Sequence, residues 1–275
     1  MAKISSTKRS GANSMQVSAA RRLWKPNQIL EYRPSSMAEI FGNQDLKAFL
    51  EARLSQPFQG FPLMVEGPDG VGKSTTLNTY VRLLLCDGGL PPGSPVCGNC
   101  YSCRAMKVDP TVHLNSLYRF WRLDGATTNQ EEINEWKSEF MPEGKRRIVQ
   151  IDNIQDLSKR KMEHSLLIPL AEAKNTIWLA STTDRYASDR MIRRRFLYRM
   201  VPQFDEREKK KFLSSLLIKF GVALVGIEPI KLLIQHGPPP ATYVKLMATA
   251  VKSNCGRLTE AVVRSFAKSH GFPIP

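Results

Sequence analysis

Apolar positions Leu46, Phe49, Leu50 and Leu54 recur at helical spacing, so the stretch after Gln44 predicts a helix with one packed face. The pattern then changes. "FPLMVEG" is a short apolar run closed by glycine, the signature of a strand buried on both sides. Three further runs of this kind follow: "LYRFWRLD", "RRIVQID" and "NTIWLAST". Helical patterns separate them, at Thr75 to Leu85, at "TNQEEINEWKSEF" and at Ser158 to Ala173. The second of these carries Thr128 three residues before Glu131, a capping-box spacing. Strands alternating with helices predict an α/β fold with a parallel sheet covered on both faces. From Gln203 onward the strand signals stop. Asp205 to Phe220, Glu228 to His236, Ala241 to Ser253 and Arg257 to Ser269 predict helices, broken at Gly226, "GPPP" and Cys255-Gly256. The chain thus divides into an arm over residues 1–27, an α/β domain over 28–202 and a small all-α domain over 203–275.

Between the first strand and its helix lies "GPDGVGKS", Gly67 to Ser74, which matches the phosphate-binding pattern G-x-x-x-x-G-K-[ST] in the required strand-to-helix setting. Gly67, Pro68, Asp69, Gly70, Val71 and Gly72 form a loop whose backbone N–H groups can face phosphates at a helix N-terminus. Lys73 is placed to reach the β and γ phosphates of ATP, and the Ser74 hydroxyl to ligate Mg²⁺, with Thr75 continuing the first turn. A metal-holding carboxylate is expected at the end of a neighbouring strand, and "IVQIDN" supplies Asp152. The next residue is Asn153, where most such ATPases carry a glutamate. An amide orients water but accepts no proton, so slow or partner-dependent hydrolysis is expected.

The cysteines add a second chemistry. Cys97, Cys100 and Cys103 follow C-x₂-C-x₂-C spacing, with Cys86 upstream. Four thiolates can close a tetrahedral shell around zinc. An iron–sulfur cluster of the bacterial run needs a further cysteine just downstream, and "RAMKVDP" has none. Cys255 stands apart and reads as a core residue.

Charge points to a partner. The 275 residues hold 40 basic and 25 acidic side chains, a formal net charge of +15, which suits a polyanion such as nucleic acid. No run approaches the roughly 18 apolar residues of a membrane span. "MAKISSTKRSGANSMQ" has no apolar stretch, so no secretory leader and a cytoplasmic location are expected.

A P-loop, a helix, then C-x₁₀-C-x₂-C-x₂-C before the second strand resembles the AAA+ ATPase subunits (gamma/tau or delta-prime type) of bacterial DNA clamp loaders. That resemblance implies a zinc module on the outside of the nucleotide domain. It places Arg33, Pro34, Ile40 and Phe41 against the adenine, with Asn43 interposed before Gln44. It puts Thr183, in "ASTTD", near the γ-phosphate, and makes Arg194, in "MIRRRF", the arginine finger that reaches a neighbour's ATP. It also turns the helix after the Asp152 strand toward a central channel, where Lys159, Arg160 and Lys161 at the helix N-terminus grip DNA phosphates. Two departures accompany it: "GPPPAT" has no arginine where the family's second sensor sits, and no C-terminal collar domain is expected after the lid. The implied function is a clamp-loader-type subunit in DNA replication, working with primer–template DNA, other AAA+ subunits in a pentamer, and a sliding clamp. The alternatives are an ATP-binding scaffold or loader that assembles on DNA to recruit another enzyme, and an ATP-bound but inert structural subunit.

Overall fold

A computed structural model describes residues 24–57, 62–89, 91, 93–108, 112–114, 118–139, 146–172, 175–236, 238–253 and 255–274. The basic stretch before residue 24 lies outside them. Six strands form one sheet: β1 (Leu63–Glu66), β2 (Val112–Leu114), β3 (Tyr118–Asp124), β4 (Arg146–Asp152), β5 (Thr176–Thr182) and β6 (Leu197–Met200). Their order is β2-β3-β4-β5-β1-β6. All neighbours run parallel except β2, which pairs antiparallel with β3 at one edge. The four predicted strands are its centre. The two edge strands had weaker signals: β2 has three residues, and β6 is only half-buried and ends on exposed Met200.

Helices α1 (Pro26–Leu30) and α2 (Gln44–Arg53) precede the sheet, and α3 (Lys73–Leu85) follows β1. Helix α4 (Tyr101–Val108) leads into β2, α5 (Gln130–Glu139) joins β3 to β4, α6 (Ile154–Lys159) and α7 (Leu167–Glu172) join β4 to β5, and α8 (Arg190–Arg193) precedes β6. Strand alternation splits the core into two layers. Leu63, Val65, Phe120, Ile148 and Leu179 pack with Leu50 of α2 and Leu77 of α3. Met64, Trp121, Val149, Ile151 and Trp178 pack on the other face with Ile154 and Leu157 of α6.

Two local details differ from the sequence pattern. The capping box of α5 falls one residue later than Thr128–Glu131. The Asn129 side chain accepts from the Glu132 N–H at 2.8 Å, and Glu132 accepts from the Asn129 N–H at 3.2 Å, while Thr128 is buried. The single helix expected from Ser158 is broken, with Lys161 at φ 59°. Buried Glu163 takes hydrogen bonds from the Ser158 hydroxyl and the Asp189 N–H, pinning the chain where a helix would continue.

The remaining helices α9 (Glu206–Phe220), α10 (Glu228–His236), α11 (Tyr243–Ser253) and α12 (Glu260–Ser269) enclose a third cluster containing Leu213, Phe220, Leu233, Leu246, Val263 and Phe266. A two-residue parallel pair, Ala223–Leu224 with Arg257–Leu258, accompanies them. Cys255 is exposed with φ 48°, in the tight turn before that pair, so the expected core role is not met. Residues from Trp24 onward join this cluster rather than trailing as an arm. Ile29 is fully buried there, and Trp24 packs edge-on against Tyr32 and Phe220.

A polar strap ties the same segment to α9. The Tyr32 hydroxyl donates to Glu39 at 2.6 Å, the Ser35 N–H donates to the same carboxylate at 3.0 Å, and Lys219 donates to the Tyr32 hydroxyl and pairs with Glu39. Burial alone raises the Glu39 pKa, but the Tyr32 and Ser35 hydrogen bonds and Lys219 outweigh it and bring the group down to about 2. A depressed carboxylate stabilises the fold above its ordinary value of about 4.3 and loses that contribution as pH falls through its folded value. We expect protection of the α1 and α9 amides, taken relative to their intrinsic exchange rates at each pH, to fall between about pH 4.5 and pH 2 in the wild type, and Glu39→Gln to remove that dependence. Equal pH profiles for the two proteins would mean that the strap does not hold the segment.

Candidate functional site

The Gly67–Ser74 loop turns from β1 into α3, and glycine is needed where its backbone is left-handed, at Gly70 (φ 77°) and Gly72 (φ 92°). Lys73 is 6% exposed, and its Nζ donates to the carbonyls of Gly67 at 2.7 Å and Pro68 at 2.8 Å. Burial pulls the Lys73 pKa down, opposed by the carboxylates of Asp69 and Asp152. The loop's N–H groups and the Lys73 ammonium therefore share one end of the sheet.

Asp152 ends β4 beside this loop and is 4% exposed. The Ser74 and Ser181 hydroxyls donate to its Oδ1 at 2.9 and 3.0 Å. Arg122 of β3 grips Oδ2 with two nitrogens at 2.7 Å each, and Gln150 donates to both oxygens at 3.3 Å. Sequence reasoning missed Arg122. Its signal was a basic residue between two apolar ones, Trp121 and Leu123, near the end of the strand. A hydroxyl and a carboxylate oxygen side by side are the hard donors that Mg²⁺ takes, so Ser74 and Asp152 fit that ion. Asn153 caps α6 with a left-handed backbone (φ 54°), and its Nδ2 lies 3.5 Å from Asp124 Oδ1.

A cleft of about 1130 Å³ opens from the loop. Its lining includes Arg33, Pro34, Ile40 and Phe41, together with Gly70, Val71, Gly72, Ser74 and Thr75, so the structure brings these sequence-predicted residues to one place. Phe41 packs edge-on against Phe204 and tilted against Phe212, at 5.6 and 5.3 Å between ring centres. Arg33 is turned onto the carbonyls of Leu30 and Tyr32. Asn43, at φ 53°, donates through Nδ2 to the Val71 carbonyl at 3.2 Å, which explains the extra residue before Gln44. The "PPPAT" segment touches the loop directly: the Ala241 N–H donates to the Gly70 carbonyl at 3.2 Å.

The sulfurs of Cys86, Cys97, Cys100 and Cys103 all lie within 4.8 Å of one another. Cys103 Sγ is 3.7 Å from Cys86 Sγ and 4.0 Å from Cys97 Sγ. A tetrahedron of sulfurs at about 2.3 Å from zinc has edges of about 3.8 Å, so the set fits zinc. Backbone N–H groups of Cys97, Cys100 and Cys103 donate to the sulfurs of Cys86, Cys97 and Cys100 at 3.3 to 3.4 Å. The backbone N–H groups of Cys100 and Asn99 bring the Cys97 thiol down to about 6, whereas burial pushes Cys103 up. The module is fastened beside the cleft wall by the Val96 N–H, which donates to the Ser35 carbonyl at 2.8 Å, and Arg82, on α3 just before the module, donates to the adjacent Pro34 carbonyl at 2.8 Å.

Other candidates lie elsewhere. Thr182 is buried and bonded to Asp184, while Thr183, just past the end of β5, is half-buried. Arg194, at the end of α8, is exposed; Arg193 lies over the ring of Tyr186, 5.1 Å from its centre, and Arg195 is half-buried. Tyr186, 67% exposed, also carries Arg185 at 4.7 Å. Lys159 and Arg160 sit at the C-terminal end of α6, not at a helix N-terminus, so no free helix N–H groups accompany them. Lys159 pairs with Asp156 at 2.7 Å, Arg160 donates to the Gly125 carbonyl, and Lys161 is exposed. No helix among the described residues is long and apolar enough to cross a membrane.

No protein-family profile matches the chain. It is 27% identical over 199 residues to DNA polymerase III subunit gamma of Buchnera aphidicola, which covers 70% of this chain and 53% of that protein. It is 22% identical over 216 residues to DNA polymerase III subunit gamma/tau of Mycobacterium tuberculosis, covering 77% and 36%. The chain thus spans about half or less of these relatives. Among solved structures, RuvB of Thermotoga maritima, described as a Holliday junction branch migration motor, superposes with a TM-score of 0.55 at 17% identity over 86% of this chain and 72% of that one. A RuvB variant from the same organism gives 0.58 at 15% identity, over 86% and 73%.

Proposed function

We propose that this chain, which has the AAA+ fold and bacterial clamp-loader ATPase subunits as its sequence relatives, is an ATP-binding clamp-loader-type subunit of DNA replication. The observation that carries the proposal is that Ser74, bonded to the Asp152 carboxylate and next to the buried Lys73, lines one large cleft together with Gly70 to Gly72. In this proposal the loop from Gly67 to Gly72 and the first turn at Thr75 hold the phosphates, and Arg33, Pro34, Ile40 and Phe41 wall the base. Mg²⁺ on Ser74 and Asp152 supplies charge neutralisation at the β and γ phosphates. Arg122, which now neutralises Asp152, is the group that has to yield part of its grip. Thr183 faces the terminal phosphate, and exposed Arg194 reaches the site of the next subunit in a pentameric ring. Lys159, Arg160 and Lys161 contact DNA phosphates through charge alone, giving binding that weakens steeply with salt. The four cysteines hold zinc as a structural staple.

A second proposal, an ATP-bound scaffold assembled on DNA, is favoured by the lid segment over the P-loop. There Pro239 and Ala241 pack on Gly70, and the segment has no arginine to aid hydrolysis. ATP turnover with and without primed DNA and a sliding clamp, paired with native mass measurement, separates the two. A discrete pentamer whose turnover rises at least tenfold with primed DNA supports the loader. Filaments on DNA without stimulation support the scaffold, and absence of ATP affinity overturns both.

A further inference from the structure

A water molecule attacking a γ-phosphate needs a proton acceptor, and Asn153, next to the metal-site carboxylate, is not one. The neighbouring strand carries an acid at the matching position. Asp124 ends β3 and is in register with Asp152, so the two Cα atoms sit about 4.8 Å apart, one strand spacing. Its face is fixed by alternation: Phe120, two steps back in the period, packs in the layer under α3, and Arg122 reaches Asp152. Asp124 shares that face, on the side of the sheet where Ser74 meets Asp152.

The carboxylate is held. Asp124 Oδ1 accepts from the Ala126 N–H at 3.0 Å and faces Asn153 Nδ2 at 3.5 Å, and the Asp124 carbonyl accepts from the N–H groups of Thr127 and Thr128. Among the described residues no hydrogen bond is recorded to Oδ2, and the residue is exposed to the solvent-facing end of the sheet. The Asn153 Nδ2 group is thus turned toward Asp124 Oδ1, at 3.5 Å.

We infer that Asp124, resting on the ATPase reading above, is the general base of this site, with Asn153 as the residue that positions the water for it. In that step a lone pair of the water oxygen forms the new bond to the γ-phosphorus. The bond from that phosphorus to the bridging oxygen breaks, and its electron pair leaves on the ADP β-phosphate. One water proton passes to Asp124 and is later released to solvent. In this reading the acid stands at the end of β3 and the amide just past the end of β4, so the site keeps a carboxylate although the residue after Asp152 has none.

The test uses the full chain with ATP, Mg²⁺ and primed DNA. Asp124→Asn is expected to lower turnover at least 100-fold while ATP affinity, measured by calorimetry, stays within threefold. After mixing and removal of free nucleotide, this variant should retain ATP where wild type holds ADP. The double variant Asp124→Asn with Asn153→Glu returns the carboxylate to the other strand and should recover turnover to within tenfold of wild type. Turnover of Asp124→Asn within threefold of wild type overturns the assignment. So does loss of ATP affinity in the single variant, which would mark Asp124 as part of the binding wall. A wild type that binds no ATP sinks the parent reading instead, and so is told apart.

Discussion

Lys73→Ala is expected to abolish measurable ATP binding. The side chain is buried with its ammonium on the Gly67 and Pro68 carbonyls, where the charges of Asp69 and Asp152 favour its protonated form. Phosphate oxygens would take over from those carbonyls, exchanging neutral acceptors for charged ones. A hydrogen bond to a charged partner contributes about 1.5–3 kcal/mol, and losing two of them weakens binding by a factor of about 10² or more. Truncation also strips two loop carbonyls of a donor, so part of any loss could come from the loop itself. A thermal melt without nucleotide separates the effects: a variant that melts within a few degrees of wild type and fails to bind a fluorescent ATP analogue supports the role. Affinity within threefold of wild type would remove Gly67–Ser74 from the nucleotide site.

The second large effect is expected from the cysteine module. Purified protein should hold one zinc per chain, and chelation or Cys103→Ala should unfold the segment from Cys86 to Val108. The apparent binding energy of a structural zinc site, about 10–16 kcal/mol in small domains, rivals the whole stability of a typical protein. The consequence should spread, because Val96 and Arg82 hold the Ser35 and Pro34 carbonyls that back the cleft. Loss of metal is therefore expected to weaken ATP binding about tenfold as well as to lower the melting temperature. Iron with visible absorbance, or a metal-free protein of unchanged melting temperature, would overturn the zinc assignment. Unchanged ATP affinity after complete zinc loss would show that the module stands clear of the cleft.

Much of this architecture was written in periodicity. The central strands β1, β3, β4 and β5 carry buried apolar residues on both faces, and the helix from Glu228 to His236 appears with its predicted bounds. Motif spacing located the P-loop, Asp152 and the four cysteines, because each chemistry needs particular atoms at short chain separations. What escaped was set by contacts between distant segments. Strand β6 exists because β1 offers it a parallel edge, not because "LYRM" is strongly apolar. The break at Lys161 depends on Glu163 meeting Asp189 across the fold. Arg122 and Asp124 gained significance only when register placed them against Asp152. Trp24 to Tyr32 was divided in the sequence between an arm ending at residue 27 and the α/β domain, and its packing against the C-terminal helices was not legible, since its partners lie about 190 residues away.

One contact outside the core ties the two ends of the molecule. The Gly70 carbonyl accepts from Ala241, and a methyl group built on Gly70 would press the Pro239 ring. Under the proposed ATP-binding reading, a phosphate that displaced this peptide would press on the turn before Tyr243 and the buried face of α11. The loop would then serve as a lever arm, with the C-terminal helices as the pointer that shows whether it is loaded.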